Sequence, residues 1–167
     1  GANVTVQVGS SGSIMVDSKS AAMAEKMLTE IKKLNTSTSK PVRYVLNTSA
    51  DADHVGGNEG LSKVLGSAAN WTIINTPGAS QTAVNIYAHD NVAARMTQMP
   101  STAQPTETFV GDQKEFYFNG EPVFMYHIPK AHTDGDSLVF FRKSDVVATG
   151  DIFRTDSYPV IDLQKGG

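Results

Sequence analysis

Asn47-Thr48-Ser49-Ala50-Asp51-Ala52-Asp53-His54-Val55-Gly56-Gly57-Asn58 is the stretch on which the reading of this chain turns. It follows a short apolar run, Val42 to Leu46, that reads as a buried strand introduced by Pro41. Two glycines and a helix-like pattern, Glu59 to Leu65, come after it. A strand that empties into a loop rich in Asp and His, with a helix picking up the chain, presents its polar side chains at one end of a sheet. Ligands bind there in layered α/β folds. Asp51, Asp53 and His54 bring oxygen and imidazole donors within four residues, which suits a metal site. Asp and Asn are equally at home in a turn that caps a helix, so the residue types alone leave both readings open.

Composition narrows the field. A length of 167 residues fits one domain, taken here as residues 1–167, and 40% hydrophobic residues suffice for a core. A formal charge of −3 with no Lys/Arg run gives no electrostatic case for nucleic acid. No apolar stretch approaches the roughly 20 residues that span a bilayer, so no membrane partner is expected. The absence of cysteine excludes disulfides and thiolate ligands, and fits a periplasmic or secreted chain slightly better than a cytoplasmic one. No signal peptide is visible, and Gly1-Ala2 reads as a trimmed start.

Working outward from the acidic loop, Val4, Val6 and Val8 alternate with polar residues, and Gly9 to Gly12 turn them into a second strand, Ile14-Met15-Val16. Asp17-Ser18-Lys19-Ser20 offers cap residues for a helix whose buried face is Met23, Met27, Leu28, Ile31 and Leu34. Asn35 to Lys40 is a polar loop, and Trp71 to Asn75 a strand stopped by Pro77-Gly78. The spacing of Val84, Tyr87, Ala88, Val92 and Met96 predicts a helix over Gln81–Met99, broken and recapped at Asp90-Asn91. His89 there is expected to be satisfied by backbone. Ser101 to Thr108 is a Pro- and Thr-rich connector. Asn119-Gly120 is the strongest hairpin signal, between Lys114–Asn119 and Pro122–Ile128, and Leu138–Phe141 pairs with Val146–Ala148 in another. Strands in groups with helices between only some of them predict two packed sheets with helices outside.

Three loops that each follow a strand carry metal-competent residues: Asp51/Asp53/His54, then His132, then Asp151. A catalytic divalent ion needs several ligands on a rigid scaffold and one position left for water, and such an arrangement supplies them. His127, on a strand before Pro129, is expected to be packed or hydrogen-bonded rather than a ligand.

This order of segments resembles the metallo-β-lactamase superfamily over essentially the whole chain. The resemblance rests on Val4–Gly9 and Ser13–Asp17, on Asn47-Thr48 before Asp53-His54-x-Gly-Gly-Asn58, on Ala88-His89-Asp90-Asn91, on Ala131 to Ser137, and on Thr149-Gly150-Asp151. It implies an α+β fold, a four-layer αβ/βα sandwich with a one- or two-metal site at one edge of the sheets. Members mostly hydrolyse lactams, thioesters, phosphoesters or related bonds.

The family motif His-x-His-x-Asp-His reads here Ser49-x-Asp51-x-Asp53-His54. By that resemblance the first metal site keeps only His132 of its three imidazoles, with Asp51 as a substitute ligand. Asp53, His54 and Asp151 match three ligands of the second site. The final histidine of that site has no counterpart before Gly167, so the domain is expected to be incomplete at its C-terminus. The implied cofactor is one divalent ion rather than two, on Asp53, His54 and Asp151 with help from Asp51: zinc by family, manganese or iron by the oxygen-rich ligand set, or none. The expected function is hydrolysis by metal-activated water, with Asp53 orienting the nucleophile and Asp51, Asp53, His54, His132 and Asp151 as the metal-site residues. The alternative is a catalytically degenerate binding or scaffolding module. The substrate, a small molecule, is not legible. Apolar faces left uncovered by a shortened sandwich would favour a homo-oligomer.

Overall fold

The alternating valines at the start of the chain form the hairpin expected of them. In a computed structural model describing residues 2–34, 42–66 and 84–167, β1 (Thr5–Gly9) pairs antiparallel with β2 (Gly12–Val16). β3 (Tyr44–Asn47), β4 (Asn85–His89) and β5 (Glu107–Phe109) then add in parallel, giving a sheet of order β1-β2-β3-β4-β5. A second, antiparallel sheet has the order β6 (Gln113–Phe118), β7 (Glu121–His127), β8 (Ser137–Phe141), β9 (Val146–Ala148). Its first hairpin turns on Asn119 and Gly120, with φ of 50° and 80°. Two successive positive φ values are what a two-residue turn needs to follow the strand twist, and Asn-Gly adopts them readily.

The core lies between the sheets. Ile14, Val16, Leu46, Tyr87 and Phe109 from the first sheet meet Val123, Met125, Val139 and Phe141 from the second. On the other face of the first sheet, Met15, Val45 and Ile86 pack with Leu28 and Ile31 of α1 (Ala24–Leu34) and Leu61 and Leu65 of α3 (Asn58–Leu65). Val92 of α4 (Asp90–Arg95) packs with Ala88 and Met96. The described residues thus supply the helix, sheet and sheet layers of the sandwich. On the outer face of the second sheet the cross-strand pairs Phe124/Phe140 and Tyr126/Leu138 are half-buried, and Tyr117 and Val147 are exposed. Among the described residues no helix is long and apolar enough to cross a membrane.

Three sequence expectations change. The segment read as a helix over Gln81–Met99 is a strand, β4, followed by the short helix α4; Gln81 to Ala83 lie outside the described residues. β4 is a central strand covered on both faces: Ile86 and Ala88 point to the helices while Tyr87 points to the other sheet. Burial on both faces erases the polar/apolar alternation that marks a strand, and the remaining apolar positions fall by chance at helical spacing. The expected cap at Asp17 to Ser20 is also different. A single 3₁₀ turn, Ala21–Met23, precedes α1 without a side-chain cap, and Asp17 and Ser18 are buried and engaged elsewhere. Leu34, placed on the buried face of α1, is 69% exposed. The polar loop Asn35 to Lys40 and the strand Trp71 to Asn75 lie outside the described residues.

The ends of the decisive stretch bond to each other. Asn58 Nδ2 donates to Asn47 Oδ1 (2.8 Å) and to the Ala103 carbonyl (3.0 Å), while its own Oδ1 accepts from Ser18 Oγ (2.7 Å). These side chains are buried, so the network ties β3, α3 and the loop after β2 into one rigid platform. Gly57 allows the close approach: a Cβ there would overlap the Ser18 carbonyl oxygen, and the Gly57 amide donates to Lys19 O (2.8 Å). Gly57→Ala is expected to destabilise by about 1–3 kcal/mol, the usual range for backbone-shifting overpacking. Urea denaturation would measure it, and a loss under half a kcal/mol would show that the platform yields.

Candidate metal centre

β3 ends at Asn47, and the chain then runs through Thr48 and buried Ser49 to Asp51, the residue before a short helix, α2 (Ala52–Val55). The Asp51 amide donates to Ser49 Oγ (3.3 Å), a local turn that leaves the Asp51 carboxylate free to face the site. His132 sits in the loop after β7. That loop is held from inside by buried Asp136, which accepts from the Thr133 amide (2.6 Å) and Thr133 Oγ1 (3.0 Å). Asp151 follows β9 and Gly150, whose φ is 54° and where an added Cβ would come within 2.7 Å of Thr48 Oγ1, so a side chain is disfavoured there.

The fold brings one oxygen of Asp51, one ring nitrogen of His132 and one oxygen of Asp151 within 4.8 Å of one another. His132 Nε2 is 2.9 Å from Asp51 Oδ2 and 3.9 Å from Asp151 Oδ2. His54 Nε2 is 3.0 Å from Asp151 Oδ2, so it joins the cluster through Asp151 alone. Asp53 stands apart. Its Oδ2 accepts from the Ala2 amide (2.9 Å), and it faces a cleft of about 490 Å³ together with Asp17 and Asp151. Of the five residues singled out in the sequence, four are linked by hydrogen bonds or short contacts, and Asp53 overlooks the neighbouring cleft.

Both imidazoles are oriented from behind. His132 Nδ1 donates to the Val160 carbonyl (2.7 Å), and His54 Nδ1 to Asp17 Oδ2 (2.8 Å). A carbonyl or carboxylate partner fixes the proton on Nδ1 and turns Nε2 towards the carboxylates, the arrangement found behind metal-ligating histidines. Two carboxylates and the His132 Nε2, with His54 behind Asp151, match the donor chemistry of a divalent transition metal, and these three donors fit such an ion. One cation is already inside the cluster: Lys165 Nζ lies 2.7 Å from Asp51 Oδ1.

Electrostatics follow from these contacts. Burial disfavours a charged His54, but the carboxylates of Asp151 and Asp17 outweigh it and push its pKa up to about 10. Burial would raise the Asp51 carboxyl, yet hydrogen bonds from Lys165 and His132 hold it below the usual carboxylate range. His54 does the same for Asp151, in part against burial. His132 is raised: burial opposes its charge, while the Val160 carbonyl and Asp51 favour it.

The two other histidines stay outside the centre. His89 caps α4, its Nδ1 accepting from the Asn91 amide (3.2 Å), and it stacks on His127 with ring centroids 3.6 Å apart. His127 Nε2 donates to the Asp134 carbonyl (2.8 Å).

Asp17 and Lys165 were missed in the sequence. Asp17, directly after β2, whose five residues are all buried, carried a signal: the apolar run Ile14-Met15-Val16 leads straight into a carboxylate. Lys165 carried none, because a lone lysine in a segment without periodicity resembles any surface lysine.

A two-sheet sandwich with Asp and His converging from the loops at one edge is a candidate metal-site scaffold. The family model of the metallo-beta-lactamase superfamily matches residues 1–167, and the chain belongs to that superfamily. Solved structures share the fold. A metallo-beta-lactamase from Pontibacter korlensis superposes with a TM-score of 0.65 at 17% identity, over 86% of this chain and 57% of that one. Metallo-beta-lactamase IND-7 gives 0.69 at 16%, over 99% and 66%. A class B3 di-zinc metallo-beta-lactamase, LRA-12, from an Alaskan soil metagenome gives 0.61 at 20%, over 83% and 50%. The chain thus spans 50–66% of the length of these three structures. No curated protein matches.

Proposed function

We propose that the protein is a metal-dependent hydrolase of the metallo-beta-lactamase type that holds one divalent ion on Asp51, His132 and Asp151, with His54 supporting Asp151. The observation that carries this reading is the convergence of those three donors within 4.8 Å, with both imidazoles oriented through Nδ1. Zinc suits the imidazoles, and manganese or iron suits the carboxylates. Such an ion supplies Lewis acidity and lowers the pKa of a bound water. The chain's own residues do the rest. Asp53 lines the adjoining cleft, where it would orient a water or accept its proton. The cleft, about 490 Å³, is of a size that takes a small molecule. Arg154 is the cationic side chain among its lining residues, which also include Asp17, Asp53, Asp151 and Asp156, and it pairs with Asp156 (3.1 Å).

One observation favours the second reading, a degenerate binding module. Asp51 and Asp151 are already neutralised by Lys165 and His54, so the cluster is satisfied without an ion. Calorimetric titration with zinc and with manganese separates the two. A hydrolase centre is expected to bind one equivalent at micromolar concentration or tighter, and His132→Ala and Asp151→Ala are each expected to weaken binding at least about 100-fold. Stoichiometric absence of both metals would leave the module reading.

A further inference from the structure

We propose that Lys165 is a built-in competitor for the metal position: its ammonium and a divalent ion exclude each other at Asp51, so that metal affinity is set by a residue that is not a ligand. The inference rests on the metal-centre reading above and concerns its regulation.

Lys165 Nζ lies 2.7 Å from Asp51 Oδ1 and 3.3 Å from Asp162 Oδ2, while the other oxygen of Asp51 takes the His132 contact. The ammonium therefore uses one of the carboxylates that converge on the candidate site. This placement is built rather than incidental. The 3₁₀ turn Leu163–Lys165 is capped by Asp162, whose Oδ1 accepts from the Gln164 (3.1 Å) and Lys165 (3.2 Å) amides. The Lys165 carbonyl accepts from the Asp134 amide (3.0 Å) and from Arg95 Nη2 (2.8 Å). The Asp162 amide donates to the His132 carbonyl (2.8 Å), and Val160 holds the His132 ring. The backbone of the strap is thus pinned to the loop that carries His132, and the four-carbon lysine stem delivers the charge to Asp51.

Those anchors do not involve the ammonium, so the side chain can leave without unfolding the strap. An ion entering the cluster would meet Lys165 as a like charge within contact distance. It would have to break the Asp51 hydrogen bond and turn the lysine out towards solvent, where the side chain is already 41% exposed. Asp162 provides the resting place, since its Oδ2 already lies 3.3 Å from the ammonium.

The test is zinc titration of the full chain as the Lys165→Met and Arg154→Gln variants beside the unsubstituted protein, with amine acylation of Lys165 followed by mass spectrometry. Arg154 lines the neighbouring cleft and pairs with Asp156, so its loss reports the through-space effect of removing one charge. Competition predicts that Lys165→Met tightens zinc binding about tenfold or more, the equivalent of one charge-assisted hydrogen bond. Arg154→Gln should change it by less than about threefold. Zinc should also raise the acylation rate of Lys165 while leaving exposed Lys130 unchanged. Equal effects of the two substitutions, or an acylation rate of Lys165 indifferent to zinc, would overturn the competition and leave the metal centre standing. Zinc binding by the Lys165→Met variant alone would support competition in its strongest form. If neither protein bound zinc, the metal reading itself would fall, and the competition with it.

Discussion

Asp17→Ala is expected to lower the stability of the metal-free protein by about 3–5 kcal/mol, the range for removing one member of a buried, hydrogen-bonded ion pair. Asp17 is 2% exposed, and both of its oxygens are used. Oδ1 accepts from the Thr48 amide (2.8 Å), and Oδ2 from Thr48 Oγ1 (2.7 Å) and His54 Nδ1 (2.8 Å). Alanine would leave the Thr48 amide without its acceptor, and Thr48 Oγ1 and His54 Nδ1 with only their 3.2 Å contact to each other, in a site whose carboxylates favour the charged imidazole. Asp17 also has a φ of 64°, which Asp tolerates and Ala tolerates less. Asp17→Asn keeps the shape and one acceptor oxygen and should cost less than half as much. Urea denaturation of both variants measures the difference, provided the slope with denaturant is unchanged. A loss near 1 kcal/mol for Asp17→Ala would mean that Asp151 alone suffices to hold the His54 charge.

The second large effect is in the pH profile of the same pair. The His54 pKa is about 10 in the folded, metal-free protein, against 6.5 for an exposed histidine. The folded state therefore binds a proton that the unfolded state releases between those values. The contribution is complete below about pH 6.5 and fades as the pH rises through 10, by a few kcal/mol in all. Asp51 and Asp151, both held below the ordinary carboxylate value of 3.8, act in the opposite sense and lose their contribution as the pH falls through their lowered values. Stability of the metal-free protein should accordingly be highest between about pH 4 and 6.5 and decline through pH 8 and 9. Thermal or urea unfolding across this range tests the expectation, and Asp17→Ala should flatten the alkaline decline. A profile flat from pH 6 to 10 in the unsubstituted protein would show that His54 is neutral in the native state.

Much of the architecture was legible because it is written in local patterns. Alternating valines, the Asn119-Gly120 turn and the grouping of strands specify hairpins and two sheets without reference to distant residues. The helix Asn58–Leu65 follows from its own apolar spacing. β4 was not legible, because a strand covered on both faces has no alternation left to read. Its partners, Leu46 in β3 and Phe109 in β5, are remote in sequence.

The candidate site divides in the same way. Asp51, Asp53, His54, His132 and Asp151 announce themselves through residue type, loop position and their match to a family pattern. The sequence by itself determined that acidic and imidazole groups would collect at the ends of strands in a sandwich of this family. Tertiary structure alone decided how they are shared out. It placed Asp51, His132 and Asp151 together, gave His54 to Asp17 and Asp151, turned Asp53 towards the cleft, and brought Lys165 across 114 residues to Asp51. The reason is physical. Which donor meets which acceptor depends on distances of a few tenths of an ångström, and these are set by sheet packing and loop closure rather than by the order of the residues.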